Sequence, residues 1–466
     1  MGTVPAWQLR AAFARRLSDM YGSEVPAYTT LLAAVAEINE DVSRIDGAAG
    51  RLGGIERVAA ERHGAIRVGT ARELRRVAAI FGAMGMHPVG FYDLREASRS
   101  SVPVVSTAFR PIEPAELARN PFRVFTSLLT TADRRYFDPD LQARLEAFLA
   151  ARELFPAELS ELAERAEREA GLDPESAERF LTLAVDAFRL STTPIDRAWY
   201  EELARVSAVA ADIGGVSGTH INHLTPRVLD IDRLYREMGR RGITMIDEIQ
   251  GPPRWDGPDV LLRQTSFRAL EEQRRFRDAD GGTGTAPLRV RFGEVEARGI
   301  ALTATGRALY DDLMAETDRR SEGEAPTDRA GIAREVWTAR FPRTERELAL
   351  NGQAFFTYRA VAADRRPADR QPPADLAGLL DQGWIDAEPI VYEDFLPRSA
   401  AGIFQSNLTD AGTRDTARSG AHYDRQWLAE VIGRPVHDPV DLYGAQQQAS
   451  LAEARAALGL APAAPA

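Results

Sequence analysis

His63-Gly64-Ala65-Ile66-Arg67 and His223-Leu224-Thr225-Pro226-Arg227 repeat one pattern: a His four residues ahead of an Arg, leading into a helix. The first of those helices closes on Met84-Gly85 and the second on Met238-Gly239. In the first copy, His63 to Val68 reads as a short strand. Thr70-Ala71-Arg72-Glu73 then makes a capping box, in which a hydroxyl and a carboxylate each satisfy a backbone N–H at the helix start. That helix turns Leu74, Val77, Ala78 and Phe81 inward, and extended stretches follow near 89–94 and 102–109. The second copy reads as a strand at 220–228, a helix from Asp230 or Asp232 to Gly239, and strands at 243–246, 260–267 and 288–296. The second copy reads βαβββ and the first reads strand, helix, strand, strand, a βαβββ-like order that indicates a duplicated module. A histidine at the same place in each unit is what a metal site built across an internal pseudo-symmetry looks like.

Around these modules the chain divides by pattern. Residues 1–60 read as a helical N-terminal cover, with Leu31, Leu32, Val35, Ile38 and Val42 on one face. The first module spans 61–113. Residues 114–210 change to long amphipathic helices and read as a helical insertion, after which the second module spans 211–318. A polar linker at 319–329 leads to a mixed α+β region, 330–460, closing the site, and 461–466 read as a disordered Ala/Pro tail. The fold class is therefore α+β. Gly281-Gly282-Thr283-Gly284 lacks the helix that a phosphate-binding loop needs.

Composition removes several chemistries. The chain has 466 residues and no cysteine, which excludes disulfides, thiolate ligands and cysteine nucleophiles. It also has no lysine, so all 58 basic residues are Arg, and Schiff-base chemistry and a P-loop lysine are excluded. A net charge of −11 argues against a nucleic-acid surface. With no basic leader and no run of about 18 apolar residues, the expectation is a soluble cytoplasmic protein without membrane partners.

Only six histidines remain as candidate ligands. In a strand, side chains alternate faces, so His220 and His223 point to opposite sides and only one shares a face with His63. Glu294 and Glu296, two apart, share a face. Two histidines and one carboxylate leave coordination positions open, as in non-haem Fe(II) oxygenases, although Mn, Co, Ni and Zn fit the same ligands.

The paired modules resemble the vicinal-oxygen-chelate superfamily, whose βαβββ units form a cupped sheet. More narrowly, three segments resemble the 2-oxoadipate dioxygenase/decarboxylase family, also called hydroxyglutarate synthases. They are the stretches from His220 through His223 to Asp232, from Arg291 through Glu294 to Gly299, and from Glu393 through Arg398 and Ser399 to Asn407. The resemblance implies His63, His223 and Glu294 as metal ligands, with His220 and Glu296 as runners-up. It implies that Arg67 grips a substrate carboxylate, which guanidinium does with two parallel hydrogen bonds, and that Arg398 and Ser399 contact the substrate. Gln264 is a candidate polar group behind the ligands. The implied reaction is Fe(II)-dependent: 2-oxoadipate and O2 give 2-hydroxyglutarate and CO2, in lysine catabolism. The rival readings are a metal-dependent isomerase or lyase of the glyoxalase type, which consumes no O2, and a non-enzymatic ligand-binding protein.

Overall fold

The first copy of the repeat folds as strand β1 (Arg62–Val68), helix Ala71–Gly82, and strands β2 (His87–Asp93), β3 (Val104–Arg110) and β4 (Arg123–Leu129). These come from a computed structural model that describes residues 2–45, 55–96, 102–289, 291–323, 326–367, 371–397, 415, 418 and 420–461. The capping box forms as read: Thr70 accepts from the Glu73 N–H, and the Glu73 carboxylate accepts from the Thr70 N–H. Strand β4 lies inside the stretch read as wholly helical. Its residues are all buried, so it lacks the alternation that marks a half-exposed strand. It pairs parallel with β1 and antiparallel with β3, which pairs antiparallel with β2. The remainder of that stretch supplies helices Pro139–Ala151, Ala157–Glu169, Pro174–Asp186, Arg197–Val206 and Ala208–Gly214, together with a two-residue strand β5 (Ile195–Asp196).

The second copy repeats the connectivity. It comprises β6 (His223–Pro226), helix Ile231–Arg240, β7 (Leu262–Ser266), a hairpin β8 (Glu272–Arg277) and β9 (Thr283–Leu288), and β10 (Glu294–Arg298). Arg227 bridges Glu296 in parallel, β10 pairs antiparallel with β7, and Phe267 bridges Met245 antiparallel. The hairpin carries Gly281 at its turn and pairs with β5, pushing the module's last strand to 294–298 rather than 288–296.

Strands β1 and β6 join the two copies antiparallel, with Gly64 opposite Leu224. His63 therefore lies opposite Thr225, and His223 lies opposite Ala65. The two histidines stand one residue either side of the same central pair.

The N-terminal helices Ala6–Glu24, Pro26–Ile45 and Ile55–Ala60 contribute Phe13, Tyr21 and Leu31 to a core shared with Phe81, Phe109 and Leu224. A second core gathers Ala65, Tyr92, Phe125, Phe292 and Phe395. The C-terminal region packs around Trp337 with β11 (Phe356–Ala360) and β12 (Ile385–Pro389). It joins the sheet where the Tyr392 N–H donates to the Gly299 carbonyl at 2.9 Å, placing residues 391–396 beside β10. Helix Ala304–Arg320 runs into the expected linker, and the next helix begins at Pro326. Residues 462–466 of the expected tail lie outside the described residues.

Candidate metal centre

Three adjoining strands bring the expected ligands together. Residues directly opposite on paired strands, and those two apart on one strand, share a face. His63, Ala65, Thr225 and His223 thus face one side of the β1–β6 junction, and Glu294 enters from the start of β10. One donor atom from each of His63, His223 and Glu294 lies within 4.8 Å of the others, and all three side chains are buried. Glu294 Oε2 is 3.7 Å from His63 Nε2 and 3.1 Å from His223 Nδ1. Its other oxygen accepts from Gln264 Nε2 at 2.6 Å, which turns Oε2 toward the histidines. Among the described residues this is the one cluster of its kind.

Glu296 shares the face of Glu294 but meets only the far side of His63, where its Oε2 lies 2.9 Å from Nδ1. It belongs to a buried ionic network. Arg298 spans both Glu296 oxygens at 2.7 and 2.9 Å, Arg123 reaches Glu296, Glu61 and Glu393, and Arg227 pairs with Glu61 at 2.8 Å. Burial pushes the Glu296 carboxyl up, but Arg298, His63 and Arg123 outweigh it and hold it well below the usual carboxylate range. Burial likewise resists protonation of His63, yet Glu296 and Glu294 more than offset it and raise the imidazole above its ordinary value. Burial dominates at His223, lowering it to about 4, so this imidazole is neutral at neutral pH.

His220 precedes β6 and is not one of the clustered donors. It lies 3.6 Å from Asp212 and 3.1 Å from Asn222. Arg67 is on the His63 face of β1, two rungs along, and its guanidinium pairs with Asp212. Burial raises the Asp212 carboxyl, but His220 and Arg67 bring it below its usual value. The Arg of the second copy has a different fate, since Arg227 is taken up by the network behind His63. Asp212 was not singled out from the sequence: it sits on helix Ala208–Gly214, ahead of the second repeat and in no motif.

The pseudo-symmetry also explains why there are three donors rather than four. Phe125 lies opposite Ala65 in the first copy, in the place that Glu294 takes beside Thr225 in the second. Phe125 packs on Phe395 at 5.0 Å, Phe395 stands edge-on to His63 at 5.0 Å, and His223 stacks on Phe292 at 5.2 Å. One flank of the donor set is therefore aromatic. The ligand strands are also tied to the N-terminal cover, because the Tyr21 hydroxyl donates to the carbonyls of Phe292 and Asn222 at 2.8 and 3.2 Å.

Residues 13–407 match the family profile described as 2-oxoadipate dioxygenase/decarboxylase. A protein of that description from Mycobacterium tuberculosis H37Rv is 53% identical over 441 residues, covering 95% of this chain and 97% of the relative. The chain belongs to the 2-oxoadipate dioxygenase/decarboxylase family. Within it, the protein of that description from Pseudomonas putida KT2440 is 42% identical over 461 residues, 97% of each chain. The crystal structure of the hydroxyglutarate synthase from Pseudomonas putida in complex with 2-oxoadipate superposes with a TM-score of 0.83 at 39% identity. That match covers 98% of this chain and 99% of the other.

In this member of the 2-oxoadipate dioxygenase/decarboxylase family, the donor chemistry fits a divalent first-row metal. Two imidazole nitrogens and one carboxylate oxygen converge, and such a set leaves positions for further ligands. Arg398 and Ser399 lie outside the described residues. No helix among those residues is long and apolar enough to cross a membrane.

Proposed function

We propose that this protein is a decarboxylating dioxygenase that converts 2-oxoadipate and O2 to 2-hydroxyglutarate and CO2, with Fe(II) held by His63, His223 and Glu294. The observation that carries the reading is the convergence of those three donors from β1, β6 and β10 in a chain of this family. Bound Fe(II) supplies chelation of the oxo acid and redox chemistry with O2. In the overall reaction C1 leaves as CO2, C2 becomes the new carboxyl with one oxygen atom, and C3 gains the other as a hydroxyl.

The remaining work falls to this chain's own side chains. Arg67 grips the distal carboxylate of the substrate, and Asp212 sets the direction of that guanidinium. Phe125, Phe292 and Phe395 keep water from the donor set, and Gln264 keeps one Glu294 oxygen turned inward. Arg398 and Ser399 retain the substrate contacts that the family resemblance gives them. The place of action in this reading is the cytoplasm.

Turnover under 18O2 tests the proposal. The account predicts 2-hydroxyglutarate carrying two labelled atoms and unlabelled CO2. Product without label, or no consumption of O2, sinks it in favour of a lyase or isomerase.

A further inference from the structure

His63 is held from two sides, and both holds lead to one residue. At Nδ1 it faces Glu296 Oε2 at 2.9 Å, and on its ring it meets the edge of Phe395 at 5.0 Å with the planes at 86°. Arg298 touches both groups. Its Nε and Nη2 donate to the two Glu296 oxygens, its Nη1 donates to the carbonyls of Tyr392 and Asp394 at 2.8 and 3.0 Å, and its guanidinium lies 5.6 Å from the Phe395 ring centre. Glu296 and Arg298 are fully shut off from solvent at their side chains, so neither contact is exchanged for water.

We propose that Glu296 and Arg298 are a positioning pair that fixes the imidazole of His63 for metal binding. The proposal rests on the metal reading above. A carboxylate beside Nδ1 favours the tautomer that keeps its proton on that nitrogen, which leaves the Nε2 lone pair for the metal and orients the ring. Nε2 then faces Glu294 Oε2. Arg298 keeps the carboxylate in place and, through the chain at 392–395, keeps Phe395 against the ring. Its planar fork reaches two carboxylate oxygens and two carbonyls at once, which a lysine ammonium cannot do.

The test is a Co(II) titration of the apo full-length protein, following affinity and the visible absorption band, with apo melting curves alongside. The variants are Glu296→Gln, Arg298→Lys and the two combined. Glu296→Gln should still bind one Co(II) per chain with affinity lower by about 10–100-fold and an altered band. Arg298→Lys should move both readouts in the same direction. Because the pair acts as one unit, the double variant should lose little more affinity than the worse single variant. Folded variants with wild-type affinity and band overturn the proposal, whatever their melting temperature. If the wild type binds no Co(II), or His63→Ala binds it equally well, the failure belongs to the metal reading instead.

Discussion

Replacing Arg67 has two consequences that the structure separates. The guanidinium is 4% exposed and pairs with an equally buried Asp212. Arg67→Met alone leaves that carboxylate with Asn222 and with His220 3.6 Å away, and breaking such a buried pair costs about 3–5 kcal/mol of stability. Adding Asp212→Asn removes the stranded charge while keeping the shape, so the double variant should recover most of the loss. What it should not recover is preference for a diacid. Hydrogen bonds to a charged group contribute about 1.5–3 kcal/mol, and about 1.4 kcal/mol is tenfold, so discrimination should fall by about 10–100-fold. The assay compares kcat/KM for 2-oxoadipate with that for 2-oxohexanoate, which has the same chain length but no distal carboxylate. Equal loss on both substrates, or full preference retained in the folded double variant, refutes the role given to Arg67.

Glu294→Gln should abolish tight binding of a divalent metal, and a chelator should do the same to the unaltered protein; a Glu294→Gln variant that holds a full equivalent of metal contradicts the ligand set. A Cβ on Gly293 would overlap the Phe267 ring, so Gly293→Ala must shift that ring or the start of β10, and we expect weaker metal binding as well as a lower Tm. Acid should act through the network behind His63. Burial pushes the Glu61 carboxyl up, but Arg227, Arg123, Arg57 and Arg298 pull it well below its usual value, and Glu296 is depressed in the same way. A carboxylate depressed in the folded state contributes stability that is present above its unfolded pKa of about 4.3 and is lost as pH falls toward the folded value. Denaturant melts of the apo protein should show this term constant from pH 7 to about 5 and declining below about 4; stability that rises through that lower range argues against the pairing.

How far the sequence could be read depended on which interactions are local. The capping box at Thr70 is local chemistry and formed as written. The duplicated module was visible because His63 and His223 each stand four residues ahead of an Arg and lead into a helix ending in Met-Gly, and their approach across β1 and β6 follows from that symmetry. Strand parity said only that one of His220 and His223 shares the His63 face, and the family resemblance pointed to His223; His220 in fact lies before β6, and parity could not separate Glu294 from Glu296, which share a face. That difference lies in which nitrogen of His63 each carboxylate meets, Nε2 or Nδ1, and only the packed structure shows it. Strand β4 was hidden by complete burial, and the last strand of the second copy was displaced by a hairpin whose β-pairing partner, β5, lies far back in the chain. Asp212 reaches Arg67 from a helix more than a hundred residues downstream, and no spacing rule anticipates that contact.

The most direct test of the account is O2 consumption by apo protein given 2-oxoadipate, with and without one equivalent of Fe(II), while CO2 and 2-hydroxyglutarate are followed together. The account predicts no uptake without metal and, with Fe(II), one O2 consumed for each CO2 and each 2-hydroxyglutarate formed. Decarboxylation that proceeds without O2, or with undiminished rate in the chelated protein, would contradict it.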